Sequence, residues 1–151
     1  MRVIIALVVA LALSGLTLQA AYKVETQVGG HTAPWIQAGS WVIGSRATQR
    51  VTSVSAKASE TGDTLSGFMV YQGEGPIGFK AQLTTEDSWI VQSNGIGSNY
   101  AWKQEGTWTF GGRAAQPLSK LMMYSSDNGA SFIGLMTYKD ESRVSFRAQL
   151  A

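Results

Sequence analysis

The chain has 151 residues, with 12 Lys plus Arg against 10 Asp plus Glu, a single histidine and no cysteine. A disulfide framework and thiol chemistry are thereby excluded, and one histidine leaves neither a duplicated Ser/His/Asp arrangement nor a metal cluster of recognisable spacing. Charge is close to balanced and no Lys/Arg block stands out, which argues against nucleic acid as a partner.

Met1-Arg2 is followed by an aliphatic and alanine run from Val3 to Leu13, then by Ser14-Gly15-Leu16 and Gln19-Ala20-Ala21. One positive charge, a short apolar stretch and a small-residue end describe a signal peptide over residues 1–20, leaving residues 21–151 as one exported domain, secreted or periplasmic. The alternative is an uncleaved anchor, but the run is shorter than the ~20 residues a membrane span needs. With Arg2 removed the basic count is 12 − 1 = 11, against 10 acidic residues.

From Tyr22 onward the chain reads as strands and turns. Ile77, Phe79, Ala81 and Leu83 hold every second place, and Val144, Phe146, Ala148 and Leu150 repeat the alternation. Period two marks half-buried strands. Leu65, Gly67, Met69 and Tyr71 share one parity, as do Phe132, Gly134, Met136 and Tyr138; Trp41 and Ile43 correspond to Trp108 and Phe110. A less clear strand runs from Val51 to Ser59 and again from Leu118 to Ser126, and Trp89 reads as an edge aromatic. The stretches 60–63 and 127–130 carry Gly and Asn suited to tight hairpin turns. Longer loops are expected from Val28 to Gly39 and from Gly95 to Gly106.

These correspondences share one offset, 141 − 74 = 67, taking Glu74 to Glu141. Laying the chain on itself at that offset needs no gap and matches about 20 of roughly 63 positions, so the domain is a tandem duplication of about 22–84 and 89–151. Five strands per copy give ten short antiparallel strands from one core-sized chain. Closure into a compact barrel hides their edges most completely, and Gly67, Gly78 and Gly134 would let strands bend or approach. An outer-membrane barrel competes, but Lys80, Gln82, Arg147 and Gln149 occupy its lipid-facing parity.

Few residues could carry chemistry. His31 lies in a loop and corresponds to Ser98, so it reads as a solvated residue. Glu74 and Glu141 are acidic in both copies, and Arg46 and Arg113 are the arginines kept in both. Two carboxylates could serve a glycosidase, but equivalents under an internal two-fold fall in separate pockets, so no catalysis is expected. An Arg-Glu pair can close a barrel end, or it can offer donors and acceptors to a hydroxyl-rich ligand, with Gly73 and Gly75 exposing main-chain groups. Trp35, Trp41, Trp102 and Trp108 suit core packing or loop anchoring.

The stretches Gly29-Gly30-His31-Thr32-Ala33-Pro34-Trp35, Trp41-Val42-Ile43-Gly44-Ser45-Arg46 and Gly73-Glu74-Gly75-Pro76-Ile77-Gly78-Phe79 resemble the Oscillatoria agardhii agglutinin family of lectins. The resemblance implies a ten-stranded antiparallel barrel of two repeats that binds the branched core of high-mannose N-glycans without metal; the chain itself is expected to be a monomer with no cofactor. It further implies that each pocket joins the long loop of one repeat to the arginine and glutamate of the other. One pocket would join Val28, Gly29 and Gly30 to Arg113 and Glu141; the second would join Gly95, Ile96 and Gly97 to Arg46, Glu74 and Gly75. Where the family places a tryptophan before its glycine pair, this chain has Val28 and Gly95. Losing a well-buried aromatic contact costs about 1.5 to 3 kcal/mol, or one to two decades of affinity.

Overall fold

The structure, a computed structural model, describes residues 20–85, 88–95, 101–111 and 117–151. All but the last residue of the expected signal peptide therefore lies outside the described residues.

The ten strands are β1 (Ala21–Gln27), β2 (Ile36–Val42), β3 (Val51–Ala58), β4 (Thr64–Tyr71), β5 (Pro76–Thr85), β6 (Ser88–Asn94), β7 (Lys103–Thr109), β8 (Leu118–Tyr124), β9 (Ser131–Tyr138) and β10 (Arg143–Leu150). They close into an antiparallel barrel in the order β9-β10-β1-β2-β7-β6-β5-β4-β3-β8. Two seams join equivalent strands of the repeats. At β2/β7 Val42 faces Thr109, and at β3/β8 Ser55 faces Met122; both pairs differ by 67, so the internal dyad runs through both seams.

Period-two alternation holds where one face meets the core. Leu65, Met69, Tyr71, Phe79 and Ala81 are fully buried, and Phe132, Met136, Val144 and Phe146 nearly so. Trp41 packs on Phe146 at 4.8 Å, and its dyad mate Trp108 packs on Phe79 at 5.8 Å. An interior filled with apolar side chains is the reverse of the polar interior of an outer-membrane barrel.

Glycine permits the close approach. A Cβ at Gly67 would collide with the carbonyl of Ser55, and one at its mate Gly134 with the carbonyl of Met122. Both positions bring strand backbones nearer than any side chain allows.

Three expectations need correction. Trp89 is no edge residue: it is 1% exposed and stacks on Phe110 with centroids 5.1 Å apart and planes within 4°. Barrel closure leaves no edge for it to occupy. The long loops are also shorter than expected, because β2 already starts at Ile36 and β7 at Lys103. Ile36 to Ser40 are all exposed, so no alternation marks them as strand; their ladder to β1 shifts register between Lys23 and Glu25. Finally, β3 and β8 end at Ala58 and Tyr124, before Ser59 and Ser126.

Candidate functional site

Register decides what the glycine-rich loops can reach. The last residue of β1, Gln27, pairs with Ser145 of β10, four residues beyond Glu141. Equivalently, the last residue of β6, Asn94, pairs with Gly78 of β5, four residues beyond Glu74. Each loop therefore leaves the barrel beside the other repeat's glutamate turn.

In the first loop Val28 is 56% exposed, and Gly29 and Gly30 both have φ of +96°, a conformation only glycine adopts readily. The buried amide of Gln27 pins this loop by donating from Nε2 to the Ala33 carbonyl at 2.7 Å. Gly95 follows β6 directly. Ile96, Gly97 and Arg113 lie outside the described residues.

Arg46, just past β2, organises the described centre. Its Nη1 donates to Glu74 Oε1 at 3.2 Å and to Gln49 Oε1 at 3.0 Å. Gln49 Nε2 in turn donates to Glu74 Oε2 at 3.0 Å and to the Gln72 carbonyl at 3.1 Å. The structure thus brings Arg46 and Glu74 together, but Glu74 is not the main partner. Glu105 of β7 takes Arg46 Nε at 3.1 Å on Oε1 and Nη2 at 2.8 Å on Oε2, a bidentate fork.

Glu105 has no remaining capacity. Tyr71 donates its hydroxyl to Oε1 at 2.6 Å, and Ser93 donates to Oε2 at 2.5 Å, so four donors fill the carboxylate. Ser45 donates to the Glu105 main-chain carbonyl. The guanidinium lies 3.6 Å from the Tyr71 ring centroid, adding a cation–π contact. Burial pushes the Glu105 carboxyl upward, but the hydrogen bonds from Arg46, Ser93 and Tyr71 and the Arg46 charge outweigh it and hold the group below its ordinary value. Burial, followed by the bond to Glu105, pushes the Tyr71 hydroxyl well up.

The division of labour follows from exposure. The Glu105 side chain is 6% exposed and anchors Arg46, whereas Glu74 is 41% exposed. Hydrogen bonding from Gln49 first, then the Arg46 charge, hold Glu74 ionised against its slight burial. Each Glu74 oxygen accepts one internal bond and keeps room for another, so the pair presents fixed acceptors to solvent. A hollow of about 460 Å³ lies on one side, lined by Arg46, Thr48, Gln49 and Gln72 among others, and one of about 330 Å³ on the other, lined by Gly73, Glu74 and Tyr124. Gly75 is exposed with open space around it.

Glu105 was invisible to a search for residues shared by the repeats, because its counterpart at 105 − 67 = 38 is Ala38. No local signal marked it, since 59 residues separate it from Arg46 along the chain.

The second glutamate has the same identity and a different backbone. Glu141 sits at φ +69°, while in the first copy Gly73 takes the positive angle at +80°. Asp140 and Ser142 replace the flanking glycines, and Asp140 Oδ1 accepts both the amide of Ser142 at 3.0 Å and its hydroxyl at 2.6 Å. The turn is rewired around the aspartate, at a cost of about 1 kcal/mol for a non-glycine residue in the left-handed region.

Two tryptophans form a symmetric surface pair. Trp102 lies under the ammonium of Lys80 at 4.4 Å, and its mate Trp35 lies under the guanidinium of Arg147 at 4.3 Å. Trp102 is 42% exposed, and a Cβ added at Gly78, which pairs with Asn94 next to Gly95, would lie 3.4 Å from its ring.

Residues 20–84 and 88–151 each match the OAA-family lectin sugar binding domain. The chain belongs to the OAA-family lectins. It is 45% identical over 129 residues to the myxobacterial hemagglutinin of Myxococcus xanthus, covering 85% of this chain and 48% of that protein. It is 40% identical over 128 residues to lectin OAA of Planktothrix agardhii, covering 85% of this chain and 97% of that one. The chain thus spans about half the length of the first relative and nearly all of the second. Among solved structures, the Pseudomonas fluorescens agglutinin superposes with TM-score 0.82 at 39% identity, over 87% of this chain and all of that one. The Myxococcus xanthus hemagglutinin in complex with α3,α6-mannopentaose superposes with TM-score 0.83 at 44% identity, over 88% of this chain and 50% of that one. Like the family it belongs to, this lectin is a non-catalytic barrel.

Proposed function

We propose that this lectin binds mannose-rich glycans at two unequal sites, one at each end of the barrel. The observation carrying the proposal is the exposed Glu74, held ionised and oriented by Arg46 and Gln49 beside the start of the Gly95 loop. Sugar hydroxyls donate to such a carboxylate, and the remaining guanidinium N–H meets a ring or hydroxyl oxygen. Metal is not required for that recognition. The Myxococcus xanthus relative solved with α3,α6-mannopentaose makes a branched mannoside the ligand to try first.

The sites are unequal for two reasons. Arg46 is anchored by Glu105, whereas the position equivalent to Glu105 in the other half is Ala38; and Glu141 sits on a rewired turn. The first site, Val28, Gly29 and Gly30 with Arg113 and Glu141, is the weaker. Trp102 offers an aromatic surface beside the second, where Gly95 stands in the loop. The N-terminal 20 residues act as a signal peptide, and the exported monomer cross-links glycans through its two sites.

Titration calorimetry with α3,α6-mannopentaose tests the reading. Two classes of site are expected, and Glu74→Ala should weaken the tighter one about tenfold or more, the worth of a charge-assisted hydrogen bond, leaving the other unchanged. Glu74→Ala is a cleaner probe than any change at Arg46, whose loss strands the buried Glu105. Unaltered binding in the variant would remove Glu74 from the site. Silence towards mannosides at millimolar concentration favours instead a barrel kept for structural or protein-binding purposes, the reading that Val28 in place of an aromatic supports.

A further inference from the structure

The outer face of β4-β3-β8-β9 is divided into three rows by register. The first runs Val70–Ser53–Tyr124–Ile133, the second Phe68–Ser55–Met122–Leu135, and the third Ser66–Lys57–Lys120–Thr137, continuing to Arg143. Successive rows are about 7 Å apart, two strand residues. The first two expose Phe68 (63%), Tyr124 (60%), Ile133 (67%) and Met122 (46%) to solvent. They line a groove of about 880 Å³. The third row borders a second hollow of about 560 Å³ that holds Lys57, Lys120, Lys139 and Arg143 against one carboxylate, Glu141. Met122 and Leu135 line both, so apolar groove and cationic cup are continuous.

The fold does not demand this polarity. The dyad through Ser55 and Met122 exchanges the first row with the third: Ser53 maps on Lys120 (53 + 67), Val70 on Thr137 (70 + 67), and Lys57 and Ser66 on Tyr124 and Ile133. The same strand positions thus close the barrel equally well as neutral or as cationic. Lys57 and Lys120 are direct cross-strand partners, a like-charge pairing that destabilises a sheet. Among the described residues none of the four cations is ion-paired, whereas Arg147, which continues the first row past Ile133 and lines the groove, is answered by Glu25 at 2.7 Å.

We infer that this face docks on an anionic lipid surface, with acyl chains against Phe68, Met122, Ile133 and Leu135 and a phosphate headgroup over Lys57, Lys120 and Arg143. An apolar patch edged on one side by unanswered cations is complementary to a molecule that joins a tail to a negative head, and the spacing of one row matches that junction. Glu141 of the weaker sugar site lines the same cup, so a bound headgroup borders that site, whereas Glu74 lies outside both hollows.

The experiment uses residues 20–151, since the described core lies wholly between Tyr22 and Ala148 and a relative as short as the barrel alone has been crystallised. Co-sedimentation with vesicles of phosphatidylcholine, with and without phosphatidylglycerol, should show binding only when the anionic lipid is present. Lys57→Ser with Lys120→Ser should weaken it at least about tenfold. Ile133→Ser should weaken it as well; both variants should keep mannopentaose binding at the Glu74 site, and neither should melt below wild type, the lysine variant being relieved of its like-charge pair. Three results overturn the proposal. If glycerol phosphate alone competes fully and Ile133→Ser is silent, the cup is only an anion site. If sedimentation reveals a dimer that Ile133→Ser dissociates, the face joins two copies of this chain. If vesicles do not bind, or bind the lysine variant equally well, no lipid docks here.

Discussion

Glu105→Ala is expected to lower stability at neutral pH by about 3 kcal/mol, near the bottom of the range for breaking a buried ion pair, because Arg46 keeps some solvent and Glu74. For a domain of this size that is a fall of about 10 °C in melting temperature. The loss goes beyond one pair: Tyr71 and Ser93 lose their acceptor, and the guanidinium loses the fork that holds it over the Tyr71 ring. Glu105→Gln should fall between, keeping an acceptor without the charge.

The pH dependence carries a definite sign. The folded carboxyl is held below its ordinary value of 4.5, so the unfolded chain takes up the proton first as pH falls. The stabilisation is fully present above the unfolded value and is lost as pH drops below about 4.5 and through the lower folded value. Thermal melts from pH 7 to pH 3 should therefore show the gap between wild type and Glu105→Ala narrowing on the acid side. A gap that is constant with pH, or a variant within about 2 °C of wild type at neutrality, shows that the carboxylate does not stabilise through its charge.

Gly67→Ala is expected to cost at least about 3 kcal/mol, more than most single methyl insertions, because the methyl meets main chain and not a side chain able to turn away. Its Cβ would overlap the Ser55 carbonyl and lie 2.8 Å from Ala56 Cα. Those atoms belong to β3, the strand already bound to β4 at this point through the Ala56–Gly67 pair. The strands must part, and with them the barrel loosens beside its dyad. Gly75→Ala supplies the contrast, since nothing lies within 4 Å of its added Cβ and stability should be unchanged. Denaturant titration of both variants decides the matter; equal midpoints would mean that β3 and β4 separate at little cost.

The Arg46–Glu74 contact was readable before the fold was known. Arg46 and Glu74 were found because duplication shows which residues are kept in both copies, and they do meet. The same method could not find Glu105, whose mate is Ala38 and which takes the bidentate fork from Arg46. The early start of β2 escaped for a different reason: a strand exposed on both faces has no alternation to display.

The sequence by itself determined that ten strands would form from two copies of one unit, and which parity would be apolar wherever a strand has one face on the core. Local periodicity and a 67-residue offset suffice for that, since both are properties of residues close together or identical. Tertiary structure alone decided which unlike residues meet across the dyad. Glu105 reaches Arg46, and Lys57 lies beside Lys120, because barrel closure and strand register set positions about sixty residues apart against one another. Nothing local in either stretch encodes the residue opposite it.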